Sequence, residues 1–297
     1  MALISRREAG KLLAAGCAGA LLSNLDLCGA AKLNSVVRGV QIGAQSYSFR
    51  DRSLDACITA MREVGLSECE LSELHIETAE SHASNADPAW LHLPTSSYQA
   101  LRHKFDSAGV KLYAFAGNVH ANFTDEMIER VFRVTETLGL RRLTTSTKVS
   151  MVPRIDRYAQ KYKIVVGYHN HDRSSDPDEF ATAESFERTL KGASPYARIN
   201  LDIGHFTAAN QDSIAFLHQH HEKIVTLHLK DRKRDHGPNV PFGLGDTPIA
   251  EVLRLVRDNH WKFPANIEYE YGKYAPGLDP LAEVRKSYEY CRKALES

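Results

Sequence analysis

The chain has 297 residues, 43% of them hydrophobic and 25% charged, an ordinary globular balance long enough for one large domain. Lysine plus arginine and aspartate plus glutamate each total 37, so the formal net charge is zero; a nucleic-acid partner, which calls for a basic excess, is not expected. No uninterrupted apolar run reaches the roughly 18 residues of a membrane span, so the mature chain is expected to have none.

The N-terminus reads as a leader. Arg6-Arg7 precedes the apolar stretch Leu12 to Leu22, and small residues follow at Gly29-Ala30-Ala31. That order predicts a twin-arginine export signal over residues 1–31, which delivers a folded protein to the periplasm. Glu8-Ala9-Gly10 stands where the pattern prefers Phe-Leu. A lipoprotein box at Ala14 to Cys17, or a short amphipathic helix packed on the domain, is the lesser alternative. Cys17, Cys28, Cys57, Cys69 and Cys291 have no metal-type spacing. Loss of the leader would leave three, an odd number that gives no support to a full disulfide framework.

From about Gln41 short β-type runs alternate with helix-type runs. Strands are expected at 40–46, 68–72, 110–115 and 142–146, with helices at 54–64, 98–108, 124–138 and 152–162. Ser53 and Thr124 are the expected helix caps, and residues 80–96 read as a long loop. The phrase helix, glycine, apolar strand recurs at Gly65, Gly109 and Gly139. Further strands are expected at 164–168, 197–201, 224–229 and 265–269, and helices at 182–191, 211–221, 248–259 and 280–295. About eight such units predict a single-domain α/β fold, a (β/α)8 TIM barrel over 38–297. An open doubly wound sheet is disfavoured because no GxGxxG loop follows any strand.

In such a barrel all strand tips meet at one face, where active sites lie. Strand five ends in Tyr168-His169-Asn170-His171-Asp172, and strand six in Leu201-Asp202-Ile203-Gly204-His205. Strand seven ends in His228-Leu229-Lys230-Asp231, and strand eight in Ile267-Glu268-Tyr269-Glu270. Alternate residues of a strand share a face, so His169 and His171 point the same way. His169, Asp202, His228 and Glu268 are the expected ligands of a divalent metal. Two imidazoles with two carboxylates suit Mn, Co, Zn or Fe better than Ca or Mg.

Around that set, His171 and Glu270 are candidate bases. Glu270 could instead be a ligand or a carboxylate that orients a ligand imidazole. His205 and Lys230 are expected to meet substrate at an oxyanion, and Lys230 alternatively to bind a phosphate. Glu70, which alternates with Leu71, could face the barrel interior; Glu70 or Glu73 could contact substrate or be an exterior or loop carboxylate. Tyr47 and Phe49 could wall a sugar ring or pack under the loop, and Asn118 and His120 could meet substrate. Lys230 to Asp235, taken alone, reads as a solvated charged loop.

These motifs, with Gly243-Leu244-Gly245-Asp246-Thr247-Pro248, resemble the xylose isomerase-like barrel superfamily in its sugar phosphate isomerase/epimerase branch, over about residues 38–295. The resemblance implies metal-assisted sugar chemistry, with Mn the first expectation. Ketose epimerases of the superfamily carry Glu, Asp, His and Glu on strands five to eight, the two glutamates serving as acid and base. Asp202, His228 and Glu268 match; His169 replaces the strand-five glutamate. The expected enzyme is a divalent-metal-dependent sugar isomerase or epimerase, including Glu268 among its catalytic groups, that abstracts a proton beside a carbonyl through a metal-stabilised enediolate. The alternatives are a lyase or dehydratase that expels a β-substituent from a keto sugar of 3-keto-glycoside or inosose type, and a non-catalytic exported sugar- or metal-binding barrel. An endonuclease IV-like repair enzyme shares the fold, but the balanced charge argues against it. A free or keto sugar is the expected substrate. Helix faces could support a homo-oligomer, though no segment identifies an interface.

Overall fold

The computed structural model describes residues 33–76, 87–270 and 277–297. The export signal expected over 1–31 therefore lies outside the described residues, with Cys17 and Cys28. Cys57, Cys69 and Cys291 are buried free thiols. Among the described residues no helix is long and apolar enough to cross a membrane.

Eight parallel strands form a closed ring: β1 (Val40–Gln45), β2 (Glu68–Ser72), β3 (Lys111–Ala116), β4 (Arg142–Thr145), β5 (Val165–His169), β6 (Ala197–Asp202), β7 (Ile224–Leu229) and β8 (Ala265–Ile267). Each pairs with its successor, and β8 closes the ring on β1 with Ala265 opposite Ile42 and Ile267 opposite Ala44. Outside the ring lie α1 (Leu54–Val64), α2 (Thr95–Ala108), α3 (Asp125–Thr137), α4 (Val152–Tyr162), α5 (Ala183–Lys191), α6 (Ile203–Ala208), α7 (Ser213–His220), α8 (Ile249–Asp258) and α9 (Pro280–Glu296). The expected (β/α)8 barrel is the fold observed.

Local chemistry sets the element ends. The hydroxyls of Ser53 and Thr124 accept from the backbone N–H of Ala56 and Met127. Gly65 and Gly109 end α1 and α2 at φ +95° and +70°, a region that costs a residue with a Cβ. Three features depart from expectation. Helix α2 starts at Thr95, directly behind Pro94, because proline fixes its own φ and delivers the chain in an extended conformation. Within the expected loop, the 3-10 turn Ala89–His92 drives Trp90 and Leu91 into the core. The short helix α6 follows β6 because the Asp202 carboxylate accepts from the His205 backbone N–H at 2.6 Å.

The stretch after β7 is also more ordered than a solvated loop. Asp231–Arg232 pairs with Asn239–Val240 in a small antiparallel ribbon, and both Asp231 and Arg232 are buried. The Asp231 carboxylate accepts from the backbone N–H of Gly243, Gly245 and Thr247 at 2.7, 3.0 and 3.3 Å. A Cβ on Gly245 would fall 1.9 Å from Asp231 Oδ1, so only glycine permits this approach.

Strand alternation divides the barrel. Val166, Tyr168, Ile199, Leu201, Leu227 and Leu229 join the apolar layer shared with Phe132, Ile155, Phe186 and Val252 of the helices. The opposite faces carry Glu68, Glu70, His169, Asn200, Asp202, Thr226, His228 and Asn266, all buried. Gly43 leaves room for one of them, since a Cβ there would lie 2.2 Å from Asn266 Oδ1.

Glu68 is buried within the ring, and burial pushes its carboxyl up to about 8. Its Oε1 has no hydrogen-bond partner. Between the ordinary glutamate value of about 4.3 and that raised value, the folded state holds a proton that the unfolded chain has lost. Stability attributable to Glu68 is therefore lost as pH rises across that window. Glu68→Gln should change stability little at pH 5 and raise it by about 1–3 kcal/mol at pH 8.5, the scale of an unsatisfied buried polar group. Urea unfolding at the two pH values checks this; parallel pH profiles for the two proteins would contradict it.

Candidate metal centre

His169, Asp202, His228 and Glu268 meet at the C-terminal mouth of the ring, and all four are buried. Each offers one ligand atom, and these atoms lie within 4.8 Å of one another. Register explains the convergence. Asp202 stands opposite His228 across β6 and β7, and Asn266, two residues before Glu268, stands opposite His228 across β7 and β8. His169 Nε2 is 3.7 Å from Asp202 Oδ2 and 4.0 Å from Glu268 Oε2. His228 Nδ1 is 3.0 Å from Glu268 Oε2.

Whether a cation fits can be judged from the polar atoms. His169 Nε2, Asp202 Oδ2, His228 Nδ1 and Glu268 Oε2 are all buried without an aligned hydrogen-bond partner. Buried polar atoms are rarely left so, and each of the four residues of the cluster contributes one. Lys230 Nζ lies 3.1 Å from Asp202 Oδ2 and 3.0 Å from Glu268 Oε2, a charge neighbour out of line for a hydrogen bond. It also lies 2.6 Å from Glu270 Oε2. Lys230 and the His228 imidazolium face four carboxylates, those of Glu70, Asp202, Glu268 and Glu270, which leaves the group short of positive charge. Two nitrogens and two carboxylate oxygens are a donor set for a divalent transition metal, and the residues fit one.

The charges are tightly tuned. Burial pulls the His169 imidazole down to about 4, so it is neutral at pH 7 with a lone pair to offer. Burial opposes charge on His228, yet Glu70 and Glu268 flank the ring and hold its pKa well above the usual value. Burial likewise opposes charge on Asp202 and Glu268, but Lys230 holds both carboxyls below their ordinary range. Lys230 is held well above its ordinary value against burial by Asp202, Glu268 and Glu270. Burial and then Lys230 push His205 down.

A cavity of about 420 Å³ opens over the cluster. Tyr47, His171, Lys230, Glu270 and the strand-three residues Asn118 and His120 line it, as do Glu73 and His205. His171 Nδ1 lies 3.6 Å from Glu179. The Tyr47 ring is backed by the Arg50 guanidinium, 4.5 Å from its centroid. Asn118 is gripped by Glu73, which accepts from its backbone N–H at 2.6 Å and from Nδ2 at 2.9 Å. His205 Nδ1 is 2.6 Å from Arg232, and its Nε2 is 3.1 Å from Lys230.

For three residues the structure bears on readings that the sequence left open. Phe49 is fully buried in the core and walls no sugar ring. Lys230 is saturated by carboxylates, which leaves it no charge for a phosphate. Glu70 is fully buried on the cavity floor, committed to protein partners instead of being held out toward a ligand. Its Oε1 stands 2.9 Å from His228 Nε2 and accepts from Thr144 at 2.7 Å; its Oε2 accepts from Asn266 at 3.3 Å. A carboxylate on the far nitrogen of a ligand imidazole fixes the tautomer and ring angle. Thr144, Asn266, Glu179 and Asp172 were not anticipated. Asp172 carries a signal in hindsight, since it closes the His169 motif; it sits 3.0 Å from Arg232 and 3.5 Å from His205.

Comparison with known proteins agrees with this architecture. The family model for the xylose isomerase-like TIM barrel matches residues 149–294, which contain all four residues of the cluster. By fold the chain is a (β/α)8 TIM barrel, and its residues 149–294 match the xylose isomerase-like TIM barrel model. Its solved structural neighbours include a sugar phosphate isomerase/epimerase from Parabacteroides distasonis, at TM-score 0.62 and 15% identity over 87% of this chain and 96% of that one. A 3-keto-D-glucoside 4-epimerase, YcjR, from E. coli aligns at TM-score 0.64 and 13% identity over 86% and 99%. The probable 3-DHS dehydratase AsbF from Bacillus anthracis aligns at TM-score 0.64 and 15% identity over 84% and 98%. At these identities the likeness is one of fold. A comparison with curated proteins finds no match.

The Glu70–His228 contact yields a direct test. Glu70→Gln keeps the volume and removes the charge that orients His228. Mn affinity, measured by calorimetry on the metal-stripped protein, should fall by about 10- to 100-fold, the scale seen when such partners are lost. Unchanged affinity in a folded variant would remove Glu70 from the centre.

Proposed function

We propose that the protein is a divalent-metal-dependent enzyme acting on keto sugars by removing a proton beside the carbonyl, as a sugar isomerase or epimerase. The observation that carries this reading is the set of four orphaned buried donors at the floor of a sugar-sized polar cavity. A divalent cation there, Mn first and Co, Zn or Fe next, supplies Lewis-acid polarisation of the carbonyl and neutralises charge that builds on its oxygen.

The remaining work falls to the chain. His171, on the same face of the β5 extension as His169, is the base, and the Glu179 carboxylate lies 3.6 Å from its Nδ1. Glu270, on the β8 side, is the group placed to return a proton, and Glu268 beside it stays ionised among the ligands. The ammonium of Lys230, 2.6 Å from Glu270, keeps that carboxylate in place. Tyr47 offers a flat face for the sugar, and Asn118 offers an amide to a hydroxyl. Because Lys230 is already surrounded by carboxylates, an uncharged keto sugar suits the site better than a phosphosugar. Export through the twin-arginine route, resting on Arg6-Arg7, belongs to the same proposal.

One observation favours a second reading. Strand five offers His169 and His171 instead of the glutamate of a two-glutamate epimerase. A single strong base with a separate acid suits elimination, in which the same proton is lost and a β-substituent departs. The dehydratase among the fold neighbours is compatible with that outcome.

Incubating the Mn-loaded protein with a panel of keto sugars and 3-keto-glycosides in D2O separates the readings. Isomerase or epimerase action incorporates deuterium at the α-carbon and keeps every substituent. Elimination releases the substituent and leaves an unsaturated ketone that absorbs in the ultraviolet. His171→Ala should slow either reaction by about 10²- to 10⁴-fold, the usual contribution of a general base. Absence of exchange and turnover with Mn, Co, Zn and Fe across the panel would sink the enzymatic reading.

A further inference from the structure

The cluster contains two imidazoles, and each has a second nitrogen that must be satisfied elsewhere. For His228 the partner is Glu70. For His169 it is a hydroxyl: Ser146 Oγ stands 3.3 Å from His169 Nδ1. We propose that Ser146 is the positioning residue that holds His169 in the tautomer with hydrogen on Nδ1, so that the Nε2 lone pair faces the cation. The inference rests on the metal-centre reading above and assigns a role to a residue that no motif singled out.

The geometry supports this direction. His169 Nε2 is buried with no hydrogen-bond partner, and the carboxylate oxygens of Asp202 and Glu268 lie 3.7 and 4.0 Å away. Those separations are too long for an N–H to donate across, but they suit atoms that share one ion at about 2.0–2.2 Å each. A hydrogen on Nε2 would thus be wasted there. Placed on Nδ1, it has Ser146 Oγ as acceptor. The serine hydroxyl keeps its own hydrogen free of that bond, and Ser146 lines the cavity, where this hydrogen can be donated to a substrate hydroxyl.

Ser146 is itself held. It follows directly on β4, and its backbone N–H donates to Asn118 Oδ1 at 2.8 Å. Asn118 in turn donates its backbone N–H and its Nδ2 to Glu73. The hydrogen bonds therefore run from the end of β2, through those of β3 and β4, to the ligand at the end of β5. Each acceptor in the run has a matching donor, so the orientation of the Asn118 amide is determined: Nδ2 to Glu73 and Oδ1 to Ser146. The run gives Glu73 and Asn118 a positioning role alongside their place in the cavity wall.

The test uses the whole protein with Zn, which is diamagnetic. In zinc-loaded protein labelled with ¹⁵N-histidine, His169, assigned by loss of its signals in His169→Gln, should show a metal-bound Nε2 and a protonated Nδ1. Zinc affinity by calorimetry should fall about 10- to 100-fold in Ser146→Ala and return to within a few-fold in Ser146→Thr, which restores the hydroxyl. Thermal unfolding of the metal-free variants keeps folding losses separate from affinity. A metal bond at Nδ1, or wild-type affinity in folded Ser146→Ala, overturns the role of Ser146 and leaves the metal centre standing. Failure of the wild-type protein to bind Zn or Mn overturns the metal-centre reading itself, and this inference with it.

Discussion

The mouth of this barrel depends on a buried ammonium. Lys230 is 2% exposed and lies within 3.1 Å of carboxylates from Asp202, Glu268 and Glu270. Moving a lone charge out of water costs several kcal/mol even after relaxation, so neither the ammonium nor its partners could sit there alone. Together they are tolerable, and their mutual attraction fixes the tips of β6, β7 and β8 relative to one another. Even with the His228 imidazolium counted, two positive charges do not balance the four carboxylates of Glu70, Asp202, Glu268 and Glu270. A divalent cation beside Lys230 would correct the imbalance and supply partners to atoms that otherwise lack them.

Alternation carries the same logic down the ring. The faces that look outward are aliphatic or aromatic and pack on helices. The faces that look inward carry Glu70, Thr144, Thr226 and Asn266, joined by hydrogen bonds between 2.7 and 3.3 Å. Such a polar lumen is stable only when its members satisfy one another. Its satisfied part supports His228 from below through Glu70. Glu68, by contrast, lies buried with an unpaired oxygen, and there the chain accepts a neutral acid.

Much of this architecture was legible in the sequence because it rests on local rules. Helix caps at Ser53 and Thr124 and left-handed glycines at Gly65 and Gly109 are written in single residues. The four cluster residues could be named because each sits at a strand tip, and closure of a parallel ring forces tips together. What the sequence hid depends on side chains meeting across the ring. Glu70 gives no hint that His228, 158 residues away, is its partner. Lys230 reads as a member of a charged loop until Asp202, Glu268 and Glu270 surround it. Helix α6 is too short for a periodic pattern, and the turn at Trp90 is masked by polar neighbours. Residues 230–235 look solvated by composition, but Asp231 has three backbone donors to satisfy it.

Closure also orders events in time. The cluster draws on β5, β6, β7 and the residue just beyond β8, and β8 is the strand that seals the ring against β1. A ribosome has emitted nine-tenths of the polypeptide before Glu268 emerges. A chain made only as far as residue 267 therefore has three of the four donors, with no sealed wall behind them. An ion could meet the complete donor set only once the newest strand has found the oldest one, so a filled site would be a mark of finished folding.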